Sequence, residues 1–534
     1  MQTIDKKQKN WDRAMAAVCL VCIGAYLLVF GLLNFAGLPQ FCNSDVYADM
    51  QFARRAWEQK TLFPEGWTFG NQYYVIATPV LAALFYGLTG SMNLAMALAT
   101  QVMTVLIILS LFWLLRAFTK DGVAQLVCCL LLVSSAVAYY GPYTMNTLLF
   151  FTQGSFYACY LITLFVVFGD YLRAGRGSVR PVVWCVSLLL CFATGMQSLR
   201  QTAVMILPLI AWEALGILVK LRKRERIWPV HLDSGIVRVF SYTLANLAGV
   251  ALSSLLDIPK AAIYGQTQAA AASQWMERLS AIPAGIAEIT SVDYLLAGDY
   301  SHLLAGVIGF FLILTAAAVI VRLWNFREKN TGLETVWLLL WIGIAGVLLS
   351  TVLLEVKLRG IYMFMWFPLV GLSGMMLLKK LPPVFRQGGV LVCCCVCLLG
   401  LLYCYRPYLP MLAQQEPTPQ EQMSQWAEKQ GYTYVYGEYW GAAPAIAVYS
   451  DGALEAGSWH SAENVFQAEP SNTPQDIYGE EENSRAIYVF TEEDIQSGLE
   501  KAKELGVSLK KVAEFGPYSA YTSPIPLMHA YLQS

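Results

Sequence analysis

Runs of about twenty apolar residues recur along this chain, with charge confined to the stretches between them. That alternation limits what the chain can fold into, because a backbone in hydrocarbon must satisfy its own N–H and C=O groups and does so as helices. The first run covers residues 14 to about 38. Of the 534 residues, 57% are hydrophobic and 14% charged, and the mean hydropathy is +0.49; soluble domains carry about 25% charged residues. A polytopic α-helical membrane protein is predicted.

The side of each loop follows from its charge. The N-terminus MQTIDKKQKNWDR is basic, and the run after it is too long for a signal-peptide core, so it reads as a retained first span with a cytoplasmic N-terminus. Residues 41–74 then lie outside. The next apolar segment, 73 to about 88, is short for a span and carries Pro79 in its middle. If it crossed, the basic clusters at 173–180, 220–226, 322–329 and 379–386 would all face outward; as an interfacial helix it leaves them inside. The predicted spans are 14–37, 93–115, 122–140, 148–170, 182–196, 201–219, 236–256, 303–322, 335–354, 361–378 and 389–405, about eleven transmembrane helices. An odd number puts the C-terminal part on the side opposite the N-terminus, together with the external loop 41–90.

After residue 405 charge rises and the apolar runs shorten. Thr418, Pro419 and Glu421 form a helix start with a capping box. Segments 432–438 and 485–490 read as buried strands, 491–506 as an amphipathic helix, 507–522 as one or two closing strands, and 465–484 as disordered or loop-rich. Residues 406–534 are thus expected to form a small extracytoplasmic α/β domain behind a membrane domain of residues 1–405.

Polar residues at a membrane active site should be few and gathered on one face. Asp45 and Asp49, four apart, share a face if their segment is helical, with Arg54, Arg55 and the turn PEGWTFG following. Arg200, Glu355, Lys357, Arg359 and Tyr362 stand at the same predicted side. A carboxylate there can take a proton from an acceptor hydroxyl, while cations hold a leaving phosphate. The bland alternatives are a wet helix face for the two aspartates and headgroup anchoring for Arg200 and Arg359. The aromatics Trp57, Trp67, Phe69, Tyr73, Tyr74, Tyr139, Tyr140 and Tyr143 either form an interfacial belt or stack on sugar rings.

Other chemistries find no support. Walker, GxSxG, HExxH and strand-borne GxGxxG motifs are missing, the four histidines are scattered, and most of the 13 cysteines sit inside apolar runs. The net charge of -1 offers nothing to nucleic acid. No inverted repeat is visible, which weakens a lipid or polysaccharide transporter; Glu213 is the clearest charge within a span and the residue such a path would use. A non-catalytic membrane scaffold presenting the tail is the third option.

An early external Asp before a helix, the G-W-x-x-G turn at 66–70, a short apolar helix ending LTGS, the segment GMQSLRQTAVMILPLI and the tail motif YGEYWGAAPAIAVYSDG together resemble the GT-C superfamily of membrane glycosyltransferases, which includes protein O-mannosyltransferases and lipid A aminoarabinose transferases. The resemblance implies a GT-C-like membrane domain in a bacterial plasma membrane and an inverting transfer of sugar from a polyprenyl-phosphate donor to an extracytoplasmic glycan, lipid or protein acceptor. It implies Asp45 as general base, with Asp49 as helper, and Arg359 with Tyr362 as holders of the donor phosphate; Arg200 and Lys357 are expected beside them. No cofactor is required, although Asp45 and Asp49 could seat a divalent metal, as some members of the superfamily do.

Overall fold

The computed structural model describes residues 2–534 apart from 38–42, 71, 139–150, 153–154, 178–179, 225–233, 262–267, 291, 299–305, 308, 311–312, 314, 316–331, 357, 359, 407–415, 479–484 and 529–534. In chain order its principal helices are α1 (Gln2–Leu32, continued by a π-helical turn at Leu33–Gly37), α2 (Ser44–Glu58), α3 (Thr78–Thr89), α4 (Met92–Leu115), α5 (Gly122–Ala138), α6 (Ala158–Ala174), α7 (Pro181–Gln197), α8 (Leu207–Arg222, entered through a π-helical turn at Thr202–Ile206), α9 (Gly235–Leu255), α10 (Trp275–Ile289), α11 (Gly332–Leu353), α12 (Trp366–Lys380), α13 (Pro383–Tyr405), α14 (Pro419–Lys429), α15 (Ala443–Tyr449) and α16 (Ile495–Glu504).

Six described segments are long and apolar enough to cross a membrane: parts of α1 and α13, all of α4, α9 and α11, and α8 with its entering turn. This is a multi-pass membrane protein. The expected spans at α5, α6, α7 and α12 are helices of 15 to 17 residues, and the expected span 303–322 falls largely outside the described residues. Helix α3 has 12 residues. At 1.5 Å per residue it extends about 18 Å, short of the ~30 Å hydrocarbon core.

Small residues let the helices approach. A Cβ on Gly195 of α7 would lie 2.1 Å from the carbonyl oxygen of Asn246, and one on Gly249 of α9 would lie 2.0 Å from that of Phe192. Backbone contact of this kind suits helix pairs that gain nothing from hydrophobic burial in lipid. Two acidic side chains inside the bundle are paired as well. Tyr171 donates to Glu213 Oε1 (2.5 Å), while Arg238 (3.3 Å) and Tyr242 (2.6 Å) both donate to Asp170 Oδ2. Glu213 is therefore one of several bonded groups, and Asp170 and Arg238 form a buried ion pair that the sequence reading did not single out.

The C-terminal region is a mixed five-stranded sheet in the order β3-β2-β5-β7-β6, built from β2 (Tyr434–Glu438), β3 (Glu455–Trp459), β5 (Ala486–Phe490), β6 (Lys510–Phe515) and β7 (Tyr518–Thr522). Strand β2 runs parallel to β3 and β5, and β7 runs antiparallel to β5 and β6. The Thr418 hydroxyl accepts from the Glu421 N–H (3.2 Å) and caps α14. Strand β3 and helix α15 lie in a stretch that the sequence reading left unassigned. Within the stretch read as disordered or loop-rich, residues 465–478 form a fixed loop holding the short strand β4 (Thr473–Pro474). The loop is fixed because β4 pairs antiparallel with β1 (Trp67–Thr68), 400 residues away in the PEGWTFG turn.

Candidate active site

The site begins with α2. Asn43 caps it, accepting from the Val46 N–H (3.2 Å), and Asp45 falls in the first turn, where the helix dipole favours a negative charge. Asp49 follows one turn later on the same face. This face is not wet. Residues 46–56 of α2 are all buried, Asp49 is 1% exposed, and Asp45 alone of the two carboxylates is partly open.

The helix is enclosed by α3 on one side and by the C-terminal region on the other. A Cβ on Gly87 of α3 would sit 2.1 Å from the Trp57 ring, so glycine allows this close approach. Across the other side, Arg54 pairs with Glu455 and donates to the Gly452 carbonyl (3.2 Å). Arg55 pairs with Asp476 (2.9 Å) and with the other oxygen of Glu455 (3.0 Å). Gln51 donates to the Pro444 carbonyl, and the Asp451 carboxylate accepts from the Met92 N–H (2.8 Å) at the start of α4. Both arginines are thus engaged in holding the tail.

The G-W-x-x-G turn has the same task. Gly66 has φ +74°, and a Cβ there would lie 2.7 Å from Asp476 Cγ. Around it, Asn472 N–H donates to the Thr68 carbonyl (2.8 Å), and Gly70 N–H donates to Asn472 Oδ1 (2.9 Å). Trp67, Phe69, Tyr73 and Tyr74 are buried in an edge-to-face cluster around Phe52, whose ring centroid lies 4.8 Å from that of Tyr74. They form neither a surface belt nor an open stacking face. Tyr139, Tyr140 and Tyr143 lie outside the described residues.

Each aspartate faces a tyrosine. The Tyr439 hydroxyl, from the loop after β2, donates to Asp45 Oδ1 (3.0 Å). Burial, then the charge of Asp45 and this bond, hold the Tyr439 phenol well above its usual range, so it is a donor at any working pH. Burial likewise pushes the Asp49 carboxyl well above the ordinary aspartate value; the nearby Tyr74 hydroxyl opposes that shift and the Asp45 charge adds to it. Asp49 has no hydrogen bond of ordinary geometry on either oxygen, so Tyr74 acts on it chiefly as a close dipole. Tyr74 is itself pushed well above its usual value, by burial first, then by Asp49, Asp45 and Tyr160.

Tyr160 joins this acidic half to a basic one. Its hydroxyl donates to Gln72 Oε1 (2.9 Å), and the same oxygen accepts from Arg200 (3.3 Å). Gln197 at the end of α7 fixes the strand of loop between them, with Oε1 accepting from Val75 and Ile76 and Nε2 donating to the Tyr160 hydroxyl. The Arg200 guanidinium lies 5.1 Å from the Tyr157 ring and 5.3 Å from that of Tyr362. Of the residues expected beside it, Tyr362 is there, whereas Lys357 and Arg359 lie outside the described residues.

A second cation, Lys260, went unnoticed in the sequence. Phe69 and residues 259–261 exchange backbone hydrogen bonds, so the loop after α9 lies along the turn after β1 and brings Lys260 over the Tyr73 ring (4.8 Å). Lys260 is open to solvent on one side and enclosed on the other. That enclosure, and then the Arg200 charge, lower its pKa below the usual 10.5. Neither cation forms a salt bridge within 4.0 Å among the described residues.

As a metal seat the acidic half fits poorly. Among the described residues no third His, Cys, Asp or Glu joins Asp45 and Asp49, and burial favours the neutral form of Asp49, whereas a divalent ion takes its protein ligands from ionised carboxylates. The arrangement instead offers one accessible carboxylate, a neighbour biased toward its neutral form, and two cations, of which Arg200 is linked back through Gln72, Tyr160 and Tyr74.

No family model matches the sequence, and no curated protein matches it. Its likeness lies in structure. ArnT from Cupriavidus metallidurans in its complex with undecaprenyl phosphate superposes with a TM-score of 0.52 at 12% identity, over 94% of this chain and 97% of that one. The apo form of that protein gives a TM-score of 0.43 at 12% identity, over 95% and 98%. By the first of these superpositions the chain is similar in fold, over nearly its whole length, to ArnT.

Proposed function

We propose that this protein is a membrane glycosyltransferase that moves a sugar from a polyprenyl-phosphate donor to an extracytoplasmic acceptor, a glycan, lipid or protein of a bacterial envelope. The observation that carries the reading is the contrast between the two carboxylates. Asp45 is accessible and oriented by Tyr439, while Asp49 is sealed and biased toward its neutral form. A base must reach its proton, which selects Asp45.

In the proposed step an acceptor hydroxyl gives its proton to Asp45 as its oxygen bonds to the anomeric carbon. The bond from that carbon to the phosphate oxygen breaks, the configuration inverts, and polyprenyl phosphate leaves as an anion. Arg200 and Lys260, which meet no carboxylate in the described structure, receive it, with Tyr362 beside Arg200; Lys357 and Arg359, outside the described residues, are assigned to the same phosphate from the sequence alone. A lipid-borne sugar has to be used at headgroup level. The reading accordingly keeps eleven spans, a cytoplasmic N-terminus, and loop 41–90 with residues 406–534 on the opposite side. Undecaprenyl phosphate in the ArnT structure supports the donor class.

The test is Asp45→Asn in proteoliposomes charged with a labelled polyprenyl-phosphate sugar, with consumption followed by thin-layer chromatography. Donor consumption should cease while expression and insertion stay normal. Consumption at the wild-type rate would overturn the assignment.

A further inference from the structure

The C-terminal sheet has a topological break at a specific place. Strands β2, β3 and β5 are parallel, and β2 lies between the other two. The chain leaves the carboxyl end of β2 toward β3 through α15, whereas it leaves the carboxyl end of β5 the other way, through α16 toward β6. The two exits diverge and leave a crevice outside the strand ends, the position where open α/β sheets take ligands. Three loops meet there: Tyr439 and Trp440 after Glu438, the last residue of β2, His460 after β3, and Glu493 with Asp494 after β5. Trp459, at the end of β3, donates to Asp494 Oδ2 (2.9 Å), and its carbonyl accepts from the Tyr439 N–H (2.8 Å), which brings the three loops together. Burial raises the Glu438 pKa to about 7; a backbone bond at Trp440 opposes the shift and the Asp494 and Glu493 charges add to it.

The residue types suit one kind of ligand. Trp440 is 48% exposed although it is large and apolar, and the Tyr439 and His460 rings stand nearly perpendicular to it, at 89° and 80°, with centroids 5.1 and 6.0 Å away. They hold the indole in place, and about half of it stays open to solvent. No hydrogen bond is formed by its indole N–H among the described residues. His460 is oriented by Glu469 (2.9 Å), and Glu438 supplies carboxylate oxygens at the same rim. An aromatic face bordered by acids and an imidazole offers apolar stacking to the C–H side of a pyranose and hydrogen bonding to its hydroxyls. A lipid chain would require a continuous apolar lining, which the charged rim denies.

The position matters as much as the chemistry. Tyr439 reaches inward to Asp45 while Trp440, the next residue, faces out. We infer that the crevice at the carboxyl ends of β2, β3 and β5 binds the acceptor and that the acceptor is a saccharide, stacked on Trp440 and delivered to Asp45 by the same loop. This rests on the transferase reading above, and it gives the tail the task of selecting the acceptor.

The experiment uses the full-length protein in lipid nanodiscs with two probes, an immobilised oligosaccharide array and undecaprenyl phosphate. The wild type should retain at least one saccharide class. Trp440→Ala should weaken that retention tenfold or more, and Trp440→Phe, which keeps a ring, should weaken it less. Undecaprenyl phosphate should bind all three proteins equally, with unchanged melting temperatures showing that the variants fold. A wild type that retains no saccharide, or a Trp440→Ala protein that retains it within twofold, overturns the inference. Loss of undecaprenyl phosphate binding by the wild type would instead sink the donor reading, so the two failures are separable.

Discussion

The Tyr439 hydroxyl donates a 3.0 Å hydrogen bond to Asp45 Oδ1, joining residues 394 apart in sequence. The contact makes the tail part of the proposed site rather than an appendage. A hydrogen bond to a charged acceptor contributes about 1.5–3 kcal/mol, and here it also fixes the direction in which the carboxylate accepts a proton. Tyr439→Phe removes the bond and preserves the ring. The expected result is a fall in kcat of about tenfold or more with donor KM unchanged. Transfer kinetics in proteoliposomes check this, and a kcat within twofold of wild type would mean that the contact does not orient the base.

Asp49 gives a prediction about stability and pH. Its folded-state pKa is raised well above the usual 3.8, chiefly by burial. Below that usual value Asp49 is neutral both folded and unfolded. As pH rises the unfolded chain loses the proton first, and the folded state is penalised progressively until its own raised pKa is passed. Asp49→Asn is close to isosteric and cannot ionise. Its melting temperature should therefore exceed that of the wild type by a margin that widens from pH 4 upward. Parallel melting curves at several pH values measure the margin, and a difference independent of pH would show that Asp49 ionises freely.

Much of this architecture was legible in the sequence, and the parts that were not have a common cause. Apolar runs and flanking charge are local, so most of the long apolar helices overlap the runs that periodicity and length mark out, while α10 lies between two expected spans, where no helix is read; the Thr418 cap is local too. Asp45 could be found because it follows the first apolar run at helical spacing from Asp49. Its partner could not, since nothing near Tyr439 in the sequence speaks of residue 45. Arg54 and Arg55 illustrate the same limit. Read alone they are cations beside a proposed active site, yet Glu455 and Asp476, 400 residues on, claim them. The PEGWTFG turn looked like a ligand loop and is a docking strand, because the pairing of β1 with β4 is long-range. Lys260 sits alone in an unremarkable loop, and only its backbone bridge to Phe69 brings it near Arg200. Trp440 did stand out, in the Tyr-Trp motif of the tail.

The phosphate-holding assignment separates Arg200 from Lys260. Arg200 offers a planar fork, so Arg200→Lys keeps the charge and loses bidentate geometry. It should weaken undecaprenyl phosphate binding by about tenfold, and Arg200→Ala by more. Lys260 has a lowered pKa, so the wild-type affinity should decline as pH rises toward 10, whereas Lys260→Arg should hold its affinity across that range because arginine stays charged. Titrations in nanodiscs at three pH values measure both effects. Equal decline in wild type and Lys260→Arg would remove Lys260 from the site.

The arginine pair that docks the tail gives the last prediction, and exposure decides its ranking. Arg54 and Arg55 have side chains only 7% and 8% exposed, Glu455 lies at 26%, and Asp476 lies at 49%. Glu455→Ala takes the near carboxylate from both guanidiniums in a poorly solvated place, leaving Arg54 the more distant Glu58 (3.9 Å) and Arg55 the half-exposed Asp476, and a weakly paired buried charge is costly. Asp476→Ala removes a partner that water already screens and leaves Arg55 its bond to Glu455. Glu455→Ala should therefore cost about 1–3 kcal/mol, and Asp476→Ala about 1 kcal/mol or less. Because this seam carries Tyr439 to Asp45, Glu455→Ala should also lower transfer, and the two losses should travel together as salt is raised. Chemical denaturation and transfer assays on the same preparations check this. If Asp476→Ala proved the more damaging variant, burial would not be what makes the seam hold.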